Sequence, residues 1–197
     1  MSCSIGLLIF DGVEELDWVG PWEVFTSLRM IDDATHVVSI AESREPVRCA
    51  KGMRVLPDHS FEDAPALDVI LVPGGQGTRV EVDNPVLIDW LRKVGASCDW
   101  VTSVCTGSLL LHEAGFARGK RVTTHWGFVE QLQQRRDVTV LSGPRWVRDG
   151  NLVTAAGVSA GIDMALWLVG QLHSPDVARS VQHYMEYDPA PPYQADA

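Results

Sequence analysis

Short aliphatic runs rich in Val and Ile alternate along this 197-residue chain with stretches of helical periodicity, and that alternation narrows the possible folds more than any other property of the sequence. Residues 5–10, 36–41, 69–72 and 100–104 are bounded by turn formers and lack a regular polar face, so they read as strands buried on both sides of a parallel sheet. Helical patterns occupy residues 21–30, with Pro21 placed in a tolerated first turn, and residues 85–94, 107–114, 126–134 and 161–172. An open doubly wound α/β sheet follows, and in such sheets ligands bind beyond the carboxyl ends of the strands. Residues 145–148 and 151–155 flank Asp149-Gly150, a strong hairpin signal, which predicts a small antiparallel pair appended late in the chain. No repeat or low-complexity linker divides the sequence, so residues 1–197 read as one domain. Its proline-rich tail, residues 186–197, should lie extended over the surface.

Within that frame the stretch Val104-Cys105-Thr106-Gly107-Ser108 stands out, because an apolar strand runs straight into a cysteine from which a helical pattern departs. A residue at such an elbow points into the cleft at the end of the strand. There the free N–H groups and positive end of the new helix favour thiolate over thiol. The competing motif Gly157-Val158-Ser159-Ala160-Gly161 has the GxSxG form of a serine hydrolase elbow. It leaves too little chain downstream for the acid and histidine such an enzyme needs, and Ser159 reads better as a helix N-cap.

Three further segments leave the same edge of the sheet. Glu14-Glu15-Leu16-Asp17 follows the first strand; Glu14 and Glu15 read as solvated turn acids, whereas Asp17, between Leu16 and Trp18, is drawn toward a dry pocket where its pKa would rise. Pro73-Gly74-Gly75-Gln76-Gly77 follows residues 69–72, and the N–H groups of Gly74 and Gly75 could face a developing negative charge. It lacks both GxGxxG and GK[ST], so it is no nucleotide loop. Thr123-Thr124-His125-Trp126 places His125 where it could touch the thiol or shape the pocket, although a structural histidine beside Trp is the more ordinary case. His112, near the end of the elbow helix, complements the helix dipole and needs no catalytic explanation.

Several classes are excluded. The 26 acidic residues outnumber the 16 Lys and Arg to give a formal charge of −10, which disfavours nucleic acid and anionic membranes as partners. The first apolar run ends at Asp11 without a basic leader, and no run reaches the ~18 apolar residues of a membrane span, so the expected location is the cytoplasm. Four cysteines, Cys3, Cys49, Cys98 and Cys105, form neither a disulfide framework nor a metal motif, and the six histidines show no ligand spacing, so no metal is expected.

The Pro73-Gly74-Gly75 turn, the Val104-Cys105-Thr106-Gly107 elbow, Thr124-His125-Trp126 and the segment from Ala156 to Asp163 resemble the ThiJ/PfpI superfamily, also called class I glutamine amidotransferase-like. Leu16-Asp17 followed by Gly20-Pro21, the threonine after the cysteine and Glu186-Tyr187-Asp188-Pro189 are similar to its isonitrile hydratase branch. The resemblance implies a flavodoxin-like sandwich, a homodimer, and a cysteine nucleophile, Cys105, paired with an acid that by position is Asp17. Ser103 and Thr106 stand where amidases and protease-like members of the superfamily carry glycine and histidine. Members with glyoxalase or deglycase activity carry glutamate at the position of Asp17. The chemistry then expected is hydration of an isonitrile without a cofactor. Cys105 attacks, Asp17 moves the proton, main-chain N–H groups at Gly75 and Thr106 steady the charge, and the Thr106 hydroxyl orients water or Asp17. Trp18 and Trp126 are candidates to line an apolar pocket for the small-molecule substrate. Alternatives are a ligand-sensing or redox-sensing module and glyoxalase-type chemistry.

Overall fold

A computed structural model of the chain describes residues 3–190. Eleven strands occur in chain order: β1 (Cys3–Leu8), β2 (Thr35–Ala41), β3 (Val47–Arg48), β4 (Arg54–Val55), β5 (His59–Ser60), β6 (Val69–Val72), β7 (Trp100–Val104), β8 (Arg121–Val122), β9 (Thr139–Val140), β10 (Trp146–Asp149) and β11 (Leu152–Ala155). The helices are α1 (Glu15–Leu28), α2 (Thr78–Glu81), α3 (Pro85–Gly95), α4 (Gly107–Glu113), α5 (Val129–Gln133), α6 (Ala160–Leu172) and α7 (Pro175–Tyr184), with a single 3₁₀ turn, Trp126–Phe128, ahead of α5. Seven strands form the main sheet in the order β10-β11-β7-β6-β1-β2-β5. All neighbours are parallel except β10, which folds back antiparallel on β11. The flavodoxin-like, mostly parallel sandwich with a small antiparallel hairpin is therefore what the chain adopts.

The central strands are buried along their length. Every residue of β6 and of β11 is buried, as are Ile5, Leu7 and Leu8 of β1, because helices cover both faces and leave no wet side to favour alternation. Helix α1 packs beside α6, and α7 lies against α6 in turn. The two margins of the sheet differ from its centre. β5 contributes only two residues, and β10 carries Arg148, whose guanidinium lies 5.0 Å from the Trp100 ring centroid and 5.8 Å from that of Trp167.

Some boundaries depart from the sequence reading. Helix α1 begins at Glu15, so Pro21 sits inside it rather than in its first turn. Proline has no N–H to give residue i−4, and here that residue is Asp17. The 126–134 pattern divides into the 3₁₀ turn and α5. Ser159 does precede α6, but its hydroxyl makes no capping bond and instead accepts from Arg145 at 3.4 Å. The expected extended tail is irregular over 187–190, while Pro191 and Pro192 lie outside the described residues. Tyr187 is anchored, its hydroxyl donating to Asp163 Oδ1 at 2.8 Å. No helix among the described residues is long and apolar enough to cross a membrane.

Candidate active site

Strand order reverses around β1, whose neighbours are β2 and β6, and the loops after β1, β6 and β7 meet beyond the carboxyl ends of their strands. Their approach is close. Glu14 N donates to Gly74 O at 2.9 Å, and a Cβ built on Gly75 (φ +124) would lie 2.4 Å from both Glu14 N and Gly12 O. Only a residue without a side chain lets these loops touch.

Cys105 lies at the sharp turn between β7 and α4 with φ +56, a left-handed conformation uncommon outside glycine. Its own N–H donates to Ala156 O at 2.6 Å and Ala155 O at 3.1 Å. Its carbonyl accepts from the hydroxyls of Thr124 at 2.8 Å and Ser108 at 3.1 Å. The backbone is thus held from both sides, and the strain at this position is supported by neighbours. Thr124 is the part of the 123–126 segment that grips the elbow.

Asp17 is fully buried on the first turn of α1. Its Oδ2 accepts from Gly74 N at 2.9 Å, while Oδ1 is buried without a geometric hydrogen-bond partner. Burial pushes its pKa up to about 7, against the pull of the Gly74 and Val158 N–H groups and of the Cys105 thiol facing it. The Cys105 thiol is itself pushed up to about 12, first by burial and then by the charge of Asp17, while the Thr106 N–H and hydroxyl draw it back. The expectation of a resting thiolate therefore does not hold. Burial and the facing Asp17 carboxylate raise the thiol, so sulfur keeps its proton while Asp17 titrates near neutrality.

The N–H groups expected to steady charge are spoken for. That of Gly74 binds Asp17, and that of Gly75 donates to Thr106 Oγ1 at 3.1 Å. Both glycines hold the side chains of Asp17 and Thr106 in place instead of offering free donors. Thr106 Oγ1 also lies 3.1 Å from Thr78 Oγ1 and 3.2 Å from Gly75 O, which ties the elbow to the glycine loop rather than to Asp17.

Cys105, Thr106, Gly75, Gln76, Glu14, Arg79, His125 and Val158 line a cleft of ≈ 140 Å³. His125 also borders a neighbouring groove of ≈ 380 Å³ that includes Trp126, Val129 and Pro144. Its ring packs on Gly157, and its Nδ1 accepts from Gly127 N at 3.1 Å. Trp126 is exposed beside that groove. Trp18, in contrast, is buried edge-on against Trp22 and lines neither cleft, because the first turn of α1 points it into the core. Glu15 is used structurally, its Oε1 accepting from Lys51 N at 2.8 Å, and His112 pairs with Asp137.

Two contributors escaped the sequence reading. Arg79 borders the cleft from α2, and Val158 holds φ +48 despite its β-branch while its N–H faces Asp17. Arg79 carries no local motif; Val158 lies within the Gly157–Gly161 motif, whose glycines are the one hint of unusual backbone. Among the described residues no group of three or more His, Cys, Asp or Glu gathers to hold a metal ion. The arrangement can hold one transferable proton between a carboxylate and a thiol beside a small cleft.

Comparison with known proteins agrees with this architecture. The model of the DJ-1/PfpI family matches residues 3–171. Isonitrile hydratase of Pseudomonas putida is 43% identical over 195 residues, covering 99% of this chain and 83% of that protein. The Parkinson disease protein 7 homolog of Danio rerio is 31% identical over 180 residues, 89% of this chain and 93% of its own. The crystal structure of a ThiJ/PfpI family protein from Pseudomonas syringae superposes with a TM-score of 0.92 at 33% identity, covering all of this chain and 80% of that one.

Proposed function

The chain belongs to the DJ-1/PfpI family, and from that premise we propose that it is a cysteine-dependent isonitrile hydratase converting R–N≡C and water to R–NH–CHO. The observation that carries the reading is the buried Asp17, with a pKa near 7, facing the protonated Cys105 thiol at the floor of a small cleft. The similarity to the Pseudomonas putida hydratase supports it.

The resting pair holds a carboxylate and a thiol. As sulfur attacks the terminal carbon of the isonitrile, Asp17 takes the Sγ proton and delivers it to that same carbon, giving the thioimidate Cys–S–CH=N–R. The S–H bond breaks while S–C and C–H bonds form, so the pair is restored to a carboxylate with no net change in protons. Water then adds to the imidoyl carbon; one of its protons goes to nitrogen and the other returns to sulfur through Asp17 as the C–S bond breaks. The formamide leaves and the thiol is regenerated. A carboxyl group titrating near neutrality suits both directions of transfer. Thr106 steadies the sulfur through its N–H, and Gly74 fixes the carboxylate that moves the proton.

The test is turnover. Purified protein incubated with cyclohexyl isonitrile should consume the isonitrile stretching band and yield N-cyclohexylformamide. Cys105→Ala should keep its fold by circular dichroism and lose at least about a thousandfold in rate, as expected for loss of a covalent nucleophile. Product formed undiminished by Cys105→Ala would remove the cysteine from the mechanism.

A further inference from the structure

The cleft over Cys105 carries two charged side chains besides the buried pair, and their situations differ. Glu14 is ion-paired with Lys51, so its charge is offset within the protein. Arg79 has no carboxylate partner among the described residues. It is nevertheless fixed. Its guanidinium lies 4.8 Å from the Phe128 ring centroid, and one terminal nitrogen donates to Gly75 O at 2.9 Å and Thr78 Oγ1 at 3.0 Å, with Thr106 Oγ1 at 3.3 Å. All three contacts use that same nitrogen, which leaves Nε and the second terminal nitrogen without a hydrogen bond to the described residues. A planar fork held on an aromatic face with donors to spare is suited to bidentate recognition of a carboxylate. What sets Arg79 apart is that this unpaired cation is held in place at the mouth of the cleft over Cys105.

The cleft is also small. Its ≈ 140 Å³ corresponds to roughly four or five water volumes, so a substrate whose carbon meets Cys105 has only a short reach to Arg79. We propose that Arg79 determines substrate choice by binding an anionic group on R, making the preferred substrates small isonitriles with a carboxylate one or two carbons from the isonitrile nitrogen. This rests on the hydratase reading for the reaction and on the Arg79 geometry for the preference. His125 borders the same cleft with Nδ1 occupied as an acceptor, so a proton on its ring sits at Nε2 and adds a second donor.

Isocyanoacetate and its methyl ester have the same skeleton and differ in charge, so their kcat/KM ratio reads the effect directly. The wild-type ratio should favour the anion by roughly 10- to 100-fold, expressed mainly in KM and weakened by added salt. Arg79→Ala should collapse the ratio to about one, Arg79→Lys should restore part of it, and Arg79→Glu should turn it in favour of the ester. If Arg79 only braces Thr106, Arg79→Ala lowers both substrates together and leaves the ratio intact, which overturns the proposal, as does a wild-type ratio near one. Should neither compound turn over, the hydratase reading fails separately. Calorimetric titration with N-formylglycine and its methyl ester then decides the Arg79 claim: binding of the acid alone, lost in Arg79→Ala, upholds it, and equal or absent binding of both refutes it.

Discussion

At the scale of single residues, the proposed chemistry depends on burying a carboxylate that the unfolded chain would leave in water. Asp17 has an ordinary pKa of 3.8 when unfolded and about 7 when folded, so between those values the folded state binds the extra proton. Its contribution to stability is therefore greatest below the lower value and declines as pH rises toward 7. Asp17→Asn removes the charge but can still accept from Gly74 N–H. It should raise the midpoint of thermal unfolding at pH 8, by up to a few kcal/mol of stability, and lower kcat by at least about a hundredfold. Scanning calorimetry and the formamide assay read the two effects independently. In the wild type, kcat/KM should fall as pH drops through about 7, where Asp17 takes up a proton and ceases to act as a base. The identity of Cys105 and Asp17 was legible from local sequence, because one marks a strand-to-helix turn and the other an acid among apolar neighbours. The protonation state of the sulfur was not. The dipole argument considers only α4, whereas burial is contributed by every loop that closes over it.

At the scale of elements, what matters is how closely the loop after β6 lies on the elbow after β7. A Cβ added at Gly74 would lie 2.5 Å from Thr106 N, 2.7 Å from Thr106 Oγ1 and 2.8 Å from Cys105 Cβ. Two of these atoms are on or next to the main chain, so no rotamer change relieves the clash. Gly74→Ala should therefore separate Asp17 from Cys105, cost about 1–3 kcal/mol in urea unfolding, and depress kcat at least tenfold with little change in secondary structure. Wild-type rates in that variant would mean that the contact between loops is not what aligns the pair. Residues 69–72 were readable as a strand to the residue because continuous burial leaves a continuous apolar signature, 100–104 matched as well, and 151–155 was one residue too long. The two-residue strands β3, β4, β5, β8 and β9 gave no such signature, since a pair of residues cannot show a period. The start of α1 was misplaced because Pro21 looks like a first-turn residue to any local rule. Only the packing of α1 against α6 shows that the helix begins a turn and a half earlier.

At the scale of the whole molecule, the alternation of strands and helices was sufficient to give the sheet and the side on which the cleft would open. It could not give Arg79, which reaches the cleft through the fold rather than through a motif, nor show that Val158, inside the Gly157–Gly161 motif, turns toward the cleft. The expected partner is a second copy of the chain. Glu15 accepts from Lys51 N, which brings the first turn of α1 against the turn between β3 and β4, and the exposed apolar side chains Leu16 and Met53 flank that junction. Light scattering should return the mass of two chains, and Leu16→Glu should shift it toward one. A wild-type protein that stays single at micromolar concentration would rule the pairing out. The margins of the sheet bear on how any such assembly forms. One border ends in a strand of two residues, and the other presents a short antiparallel strand whose Arg148 lies across two tryptophans. Neither offers the long, flat, uncharged rim that an incoming strand needs as a template. Growth by strand addition to the native state is therefore disfavoured at both borders.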